Sequence, residues 1–134
     1  RNFAKFFGAD MVVCDKQRSR ANQIASMQVI GDVEGMDVVL IDDMVDTAGT
    51  ICKAAELIKQ KGARSVRAIC THPVLSGPAY ERLADSVLEE LVVADTIPLR
   101  QESDRIRVLS FAELFANAIR NVVTHESISS LFIA

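Results

Sequence analysis

One run, VVLIDDMVDTAGT at residues 38–50, limits the folds open to this chain more than any other stretch. Its first residues, Val38, Val39, Leu40 and Ile41, are branched and apolar, which predicts a short strand buried on both faces, as inside a parallel sheet. Asp42, Asp43 and Asp46 end that strand in acid, and Thr47, Ala48, Gly49 and Thr50 lead into residues 51–61. There Ile51, Ala54, Ala55 and Ile58 recur at helical spacing and predict a face packed on the sheet. Lys59 and Lys61 suit the negative end of that helix, and Gly62 can end it in a left-handed conformation. Residues 65–71 then supply another strand. A strand, a helix and a strand in this order predict a parallel pair with a right-handed crossover. The fold class is therefore α/β, a mainly parallel sheet flanked by helices.

The loop at the carboxyl end of such a strand offers backbone N–H groups and the positive end of a helix dipole to an anion. Glycine at 49 predicts a turn that a larger residue would strain, and the hydroxyls of Thr47 and Thr50 each add a donor. That end suits a phosphate monoester. The carboxylates of Asp42 and Asp43 only accept hydrogen bonds, so their partners are sugar hydroxyls, or hydroxyls bridged by a divalent cation. The plainer alternative is a solvated acidic turn that caps the next helix. The strand, loop and helix context favours the phosphorylated-sugar reading.

At 134 residues the chain has the size of one domain with its own core. Its 49% hydrophobic and 25% charged residues are those of a globular protein. A formal charge of −3 argues against general nucleic-acid affinity. No run is long and apolar enough for a bilayer, and no secretion signal opens the sequence, so a cytoplasmic location is expected. Cys14, Cys52 and Cys70 lie far apart and are read as reduced core residues. The start at Arg1, with no sheet-forming run ahead of the first helix, leads to the expectation of a fragment of a longer chain.

Before the central run, residues 1–7 carry Phe3, Phe6 and Phe7 and predict the last turns of a helix stopped by Gly8. Residues 11–14 predict a short apolar strand. Residues 15–20 lack either periodicity and predict a loop carrying Lys16, Arg18 and Arg20, which alone would be a solvated basic patch. Residues 21–30 continue the loop into a second strand, and a turn at Gly31, Asp32, Glu34 and Gly35 follows. After the central unit, His72 has no partner at metal-ligand spacing and receives no role. Ser76-Gly77-Pro78 is a weak signal for a helix start continuing through Tyr80 and Leu83. Residues 87–94 predict a buried strand containing Glu89 and Glu90, residues 98–105 a charged connection, and residues 106–109 a further strand. Ser110 and Glu113 predict a capping box, and Phe111, Leu114, Phe115, Ala118, Ile119 and Val122 a core-facing stripe.

The central run resembles the ribose 5-phosphate and phosphoribosyl-pyrophosphate loop of the type I phosphoribosyltransferase superfamily. Asp15-Lys16-Gln17-Arg18, residues 71–78 (THPVLSGP), Asp95-Thr96-Ile97-Pro98 and Glu126-Ser127-Ile128-Ser129 are similar to segments of the ribose-phosphate pyrophosphokinase family, along the whole chain. The resemblance implies a single phosphoribosyltransferase-like domain over residues 1–134, the C-terminal half of a two-domain chain. It implies transfer of pyrophosphate from ATP to the anomeric hydroxyl of ribose 5-phosphate, with release of AMP. Asp42, Asp43, Asp46, Thr47, Ala48, Gly49 and Thr50 would then bind ribose 5-phosphate. Lys16 and Arg18 match the basic pair of a flexible catalytic loop, with Gln17 standing between them where the family often has a basic residue or Glu. Ser127 and Ser129 match a regulatory phosphate segment that also takes in Phe132. Mg2+ would arrive with ATP, its protein ligands lying outside this chain, which is expected to be inactive alone. A homo-oligomer is implied, with neither nucleic acid nor membrane as a partner. The competing readings are a phosphoribosyltransferase, for which no base-recognition segment or hood is evident, a non-catalytic synthetase-associated protein, and a phosphate-binding switch domain.

Overall fold

The structure, a computed structural model, describes residues 2–20 and 23–131. Residues 12–109 form one compact unit, and residues 1–11 with 110–134 form another. In the first, β1 (Val13–Arg20) and β2 (Gln23–Ile30) pair antiparallel as a ribbon. The strands β3 (Asp37–Val45), β4 (Ser65–Pro73), β5 (Leu91–Ala94) and β6 (Ile106–Leu109) form a parallel sheet in that order. Helix α2 (Gly49–Gln60) connects β3 to β4, and α3 (Ala79–Asp85) connects β4 to β5.

The expected helix face of α2 is the buried one: Ile51, Ala54, Ala55 and Ile58, with Cys52 beside them. It packs on β2, β3, β4 and α3. With Val66, Ala68, Leu83, Leu88, Leu91 and Val93 it makes the core of the unit. Each such Ile, Leu or Val, fully buried, stabilises the fold by about 1.5–3 kcal/mol relative to exposure. The stop at Gly62 is a Schellman turn: Gly62 has φ +91°, its N–H donates to Lys59 O at 3.0 Å, and Ala63 N–H donates to Ile58 O at 3.3 Å. Just beyond that turn, Arg64 Nε at 2.9 Å and Ser65 Oγ at 2.6 Å donate to Asp37, which ties the start of β3 to the start of β4. Cys52 and Cys70 are buried free thiols and Cys14 is partly buried.

Several expectations are corrected. β3 is not buried on both faces: among the described residues it is an edge strand, and Val39 and Ile41 are about half exposed on its outer face. Four branched residues in a row indicate strand, but only elements packed on both faces of the sheet would bury them, and Ile69 on the inner strand β4 is exposed as well. The strand also continues through Asp42 and Asp43 to Val45, so these acids lie in it and not after it. Residues 15–20 are strand and not loop, because β1 runs from Val13 to Arg20 with irregular pairing at Gln17 and Arg18. A two-stranded ribbon needs no apolar face, so alternation did not reveal it. β4 reaches past Thr71 to include His72 and Pro73, and β5 begins only after Glu89 and Glu90. Those glutamates pair with Arg67 and Arg107 at 3.0 and 2.8 Å.

In the second unit, α1 (Asn2–Phe7) is stopped by Gly8 at φ +61°, as expected. Helix α4 (Ala112–Val123) has Phe111 at its N-cap position, with no side-chain cap bond from that residue. Ser110, expected to open the helix, accepts at Oγ from Ala112 N–H at 3.3 Å. The stripe expected to be core is exposed, with Phe115 and Ile119 near 60% and no residue of α4 buried. Amphipathic spacing identifies a face that seeks cover without supplying the cover. No helix among the described residues is long and apolar enough to cross a membrane.

Candidate functional site

The run that dominates the sequence folds into a concavity of about 240 Å³ lined by Asp42, Asp43, Met44, Val45, Asp46, Thr47, Ala48, Gly49, Thr50 and Ile51. All seven residues proposed for the sugar phosphate line it. Because β3 runs through both acids, alternation directs Asp42 to the face shared with Cys70 and Asp43 to the exposed face. Asp43 N–H donates to Asp42 Oδ1 at 3.0 Å, which orients the Asp42 carboxylate. Burial pushes the Cys70 thiol up to about 11, and the charge of Asp42 adds to the effect.

At the other end, α2 starts at Gly49 with no side-chain cap and no acidic residue in its first turn. The aspartates therefore do not cap the helix. The first residues of α2 line the concavity, and no side chain caps that end of the helix. The residue in the left-handed region is Ala48, at φ +59°, and not Gly49, so the turn was expected one residue too late. Ala48 is buried, and its packing offsets a conformation that costs a non-glycine residue about 1–2 kcal/mol. Gly49 is restricted by a neighbour instead: a Cβ there would lie 3.2 Å from Arg82 Nη1.

That neighbour belongs to a backing that sequence reasoning missed. Leu75 N–H donates to Val45 O at 3.1 Å, Ser76 N–H to Asp46 O at 3.0 Å, and Arg82 Nη1 to Thr47 O at 2.9 Å. Ser76 Oγ donates to the Asp46 carboxylate. Leu75, itself at φ +47°, is almost fully buried beneath this contact. Cys52 Sγ lies 3.6 Å from Arg82 O and links the first turn of α2 to α3. The Ser-Gly-Pro turn was a weak sequence signal, and α3 starts only at Ala79. Arg82 had no signal at all, because its partner is distant in sequence.

Lys16 and Arg18 lie in β1, whose partner β2 packs on α2; their side chains fall outside the described residues. His72 Nδ1 is 3.0 Å from Thr96 Oγ1, whose hydroxyl donates to Thr71 O at 2.8 Å. With that proton spent, the hydroxyl accepts, and His72 carries its hydrogen on Nδ1. Ser127 and Ser129 lie at the 3-10 turn Ser129–Leu131, with Ser129 N–H donating to Ser127 Oγ at 3.1 Å, and Phe132 is outside the described residues. Among the described residues, no group of three or more His, Cys, Asp or Glu could hold a metal ion.

Comparison with known proteins gives this geometry a context. The family profile described as "Phosphoribosyl synthetase-associated domain" matches residues 12–133. A ribose-phosphate pyrophosphokinase of Helicobacter hepaticus is 58% identical over 132 residues, covering 98% of this chain and 43% of that protein. The same-named protein of Campylobacter jejuni subsp. jejuni is 56% identical over 133 residues, 99% of this chain and 43% of its own length. The crystal structure of phosphoribosylpyrophosphate synthetase from Mycobacterium smegmatis superposes with a TM-score of 0.82 at 38% identity, over 92% of this chain and 40% of that one. The chain thus spans less than half the length of the relatives it matches.

Proposed function

The chain belongs to the phosphoribosyl synthetase-associated domain family, and from that premise we propose that it is the ribose 5-phosphate-binding half of a ribose-phosphate pyrophosphokinase with a type I phosphoribosyltransferase-like fold. In this reading residues 1–134 are one domain, the C-terminal half of a longer cytoplasmic, homo-oligomeric parent. The observation that carries it is the concavity of residues 42–51, acidic at the strand end and uncapped at the helix end. Asp42, Asp43 and Asp46 accept from the ribose hydroxyls. The amides and hydroxyls of residues 47–50 donate to the 5-phosphate, with the dipole of α2 adding to the attraction.

Holding the sugar by its phosphate leaves the anomeric hydroxyl free to attack the β-phosphorus of ATP. The work of the protein is positioning and charge stabilisation. Lys16 and Arg18 neutralise charge on the triphosphate during transfer, and AMP leaves. Magnesium would come with ATP and neutralise phosphate charge, and no group of three or more His, Cys, Asp or Glu among the described residues could hold it. Ser127 and Ser129 belong to this reading as a regulatory phosphate segment.

The test is a titration of the 134-residue chain with ribose 5-phosphate, followed by amide chemical shifts, together with an assay of AMP release with ATP and magnesium. Shifts centred on residues 46–50 without AMP are expected. Absence of binding refutes the sugar-phosphate assignment, and efficient turnover refutes the assignment of the nucleotide and metal contacts to groups outside this chain.

A further inference from the structure

A peptide plane is trans, so its C=O and N–H point in opposite directions. The carbonyls of Val45, Asp46 and Thr47 are all drawn to one side, by Leu75 N–H, Ser76 N–H and Arg82 Nη1. The N–H groups of the same three planes, those of Asp46, Thr47 and Ala48, must therefore point to the other side. Arg82 is absent from the lining of the concavity, whereas residues 46–48 line it. The backing thus stands behind the loop, and the amides face forward. Two of the three links are backbone to backbone and survive most substitutions; the third depends on one side chain.

We infer that Arg82 is a positioning residue for phosphate: by holding the Thr47 carbonyl from behind, it turns the Thr47–Ala48 peptide so that the Ala48 N–H faces the bound anion, and it stabilises the left-handed Ala48 at the N-cap of α2. This rests on the sugar-phosphate site proposed above and adds to it a residue that does not touch the ligand. The guanidinium also lies close behind Gly49, 3.2 Å from where a Cβ would stand, so its charge reinforces the helix dipole at the same point. Loss of Arg82 frees that peptide to rotate, and the site must then order it on binding. The side chain is exposed, which limits the effect to about five- to tenfold in affinity.

The experiment compares the unaltered chain with Arg82→Met and Arg82→Lys, titrated separately with ribose 5-phosphate and with inorganic phosphate. The expected result is a five- to tenfold rise in Kd for both ligands in Arg82→Met, partial recovery in Arg82→Lys, and an Ala48 amide shift altered before ligand is added. A role in folding alone would lower the unfolding temperature without recovery of affinity in Arg82→Lys, and that pattern overturns the inference. So does an Arg82→Met affinity within twofold of the unaltered chain. If Arg82→Met lacks the dispersed amide spectrum of a folded protein, Arg82→Gln takes its place under the same two criteria. No binding by the unaltered chain instead overturns the sugar-phosphate site itself, and the inference with it.

Discussion

Replacing Gly49 by alanine separates stability from ligand binding in a way that follows from a few distances. Gly49 does not need glycine for its backbone, since its φ lies outside the left-handed region occupied by Ala48. As the first residue of α2 it should gain up to about 1 kcal/mol in helix propensity from the change. The new Cβ would lie 3.2 Å from Arg82 Nη1, 3.8 Å from Arg82 Cζ and 3.8 Å from Thr47 Oγ1. The closest of these is the end of a flexible exposed side chain, which gives way by a few tenths of an ångström at small cost. Stability should therefore change by less than about 1 kcal/mol, or about 4 °C in Tm. Binding should not be spared, because the displaced guanidinium stretches and weakens its 2.9 Å bond to Thr47 O. We expect Gly49→Ala to raise the Kd for ribose 5-phosphate about fivefold, a loss of about 1 kcal/mol. The assay is a double-mutant cycle by titration calorimetry, with Gly49→Ala, Arg82→Met and both. If the effect runs through Arg82, Gly49→Ala costs less than about twofold once Arg82 is gone. Fully additive losses, or an unchanged Kd in Gly49→Ala, would refute the reasoning.

In the intact parent, Asp42→Ala and Thr47→Ala should weaken ribose 5-phosphate binding, whereas Lys16→Ala should mainly lower kcat; near-normal turnover in Lys16→Ala would remove its assigned role. Ile58→Ala removes a nearly fully buried side chain between α2 and the sheet and should destabilise the chain by about 2–5 kcal/mol in urea unfolding. The Arg64 and Ser65 hydrogen bonds hold the Asp37 carboxyl well below the usual carboxylate range. A depressed folded pKa contributes stability that is complete above the unfolded value, about 4, and is lost as pH falls through the folded value. Thermal unfolding of Asp37→Asn should accordingly differ from the unaltered chain at pH 7 and converge toward it as the pH falls below about 4; a constant difference would show that the charge is not the cause.

The order strand, loop, helix and strand was legible without the structure, because local rules dictate it. Branched residues at 38–41 favour extended backbone, the spacing of Ile51, Ala54, Ala55 and Ile58 favours one helical face, and Gly62 permits the Schellman stop. The residues that line the concavity were legible for the same reason, being contiguous in one strand, loop and helix. Only the tertiary structure decided that β3 lies at the sheet edge, that residues 15–20 pair as a ribbon, and that the α4 stripe is exposed. Each of these depends on what lies opposite a residue, and spacing within a segment carries no information about its neighbour. The same limit hid the backing of the loop. Ser76 and Arg82 meet Asp46 and Thr47 across 30 and 35 positions of chain, and only the parallel pairing of β3 with β4 brings the ends of those strands, and so those four residues, together.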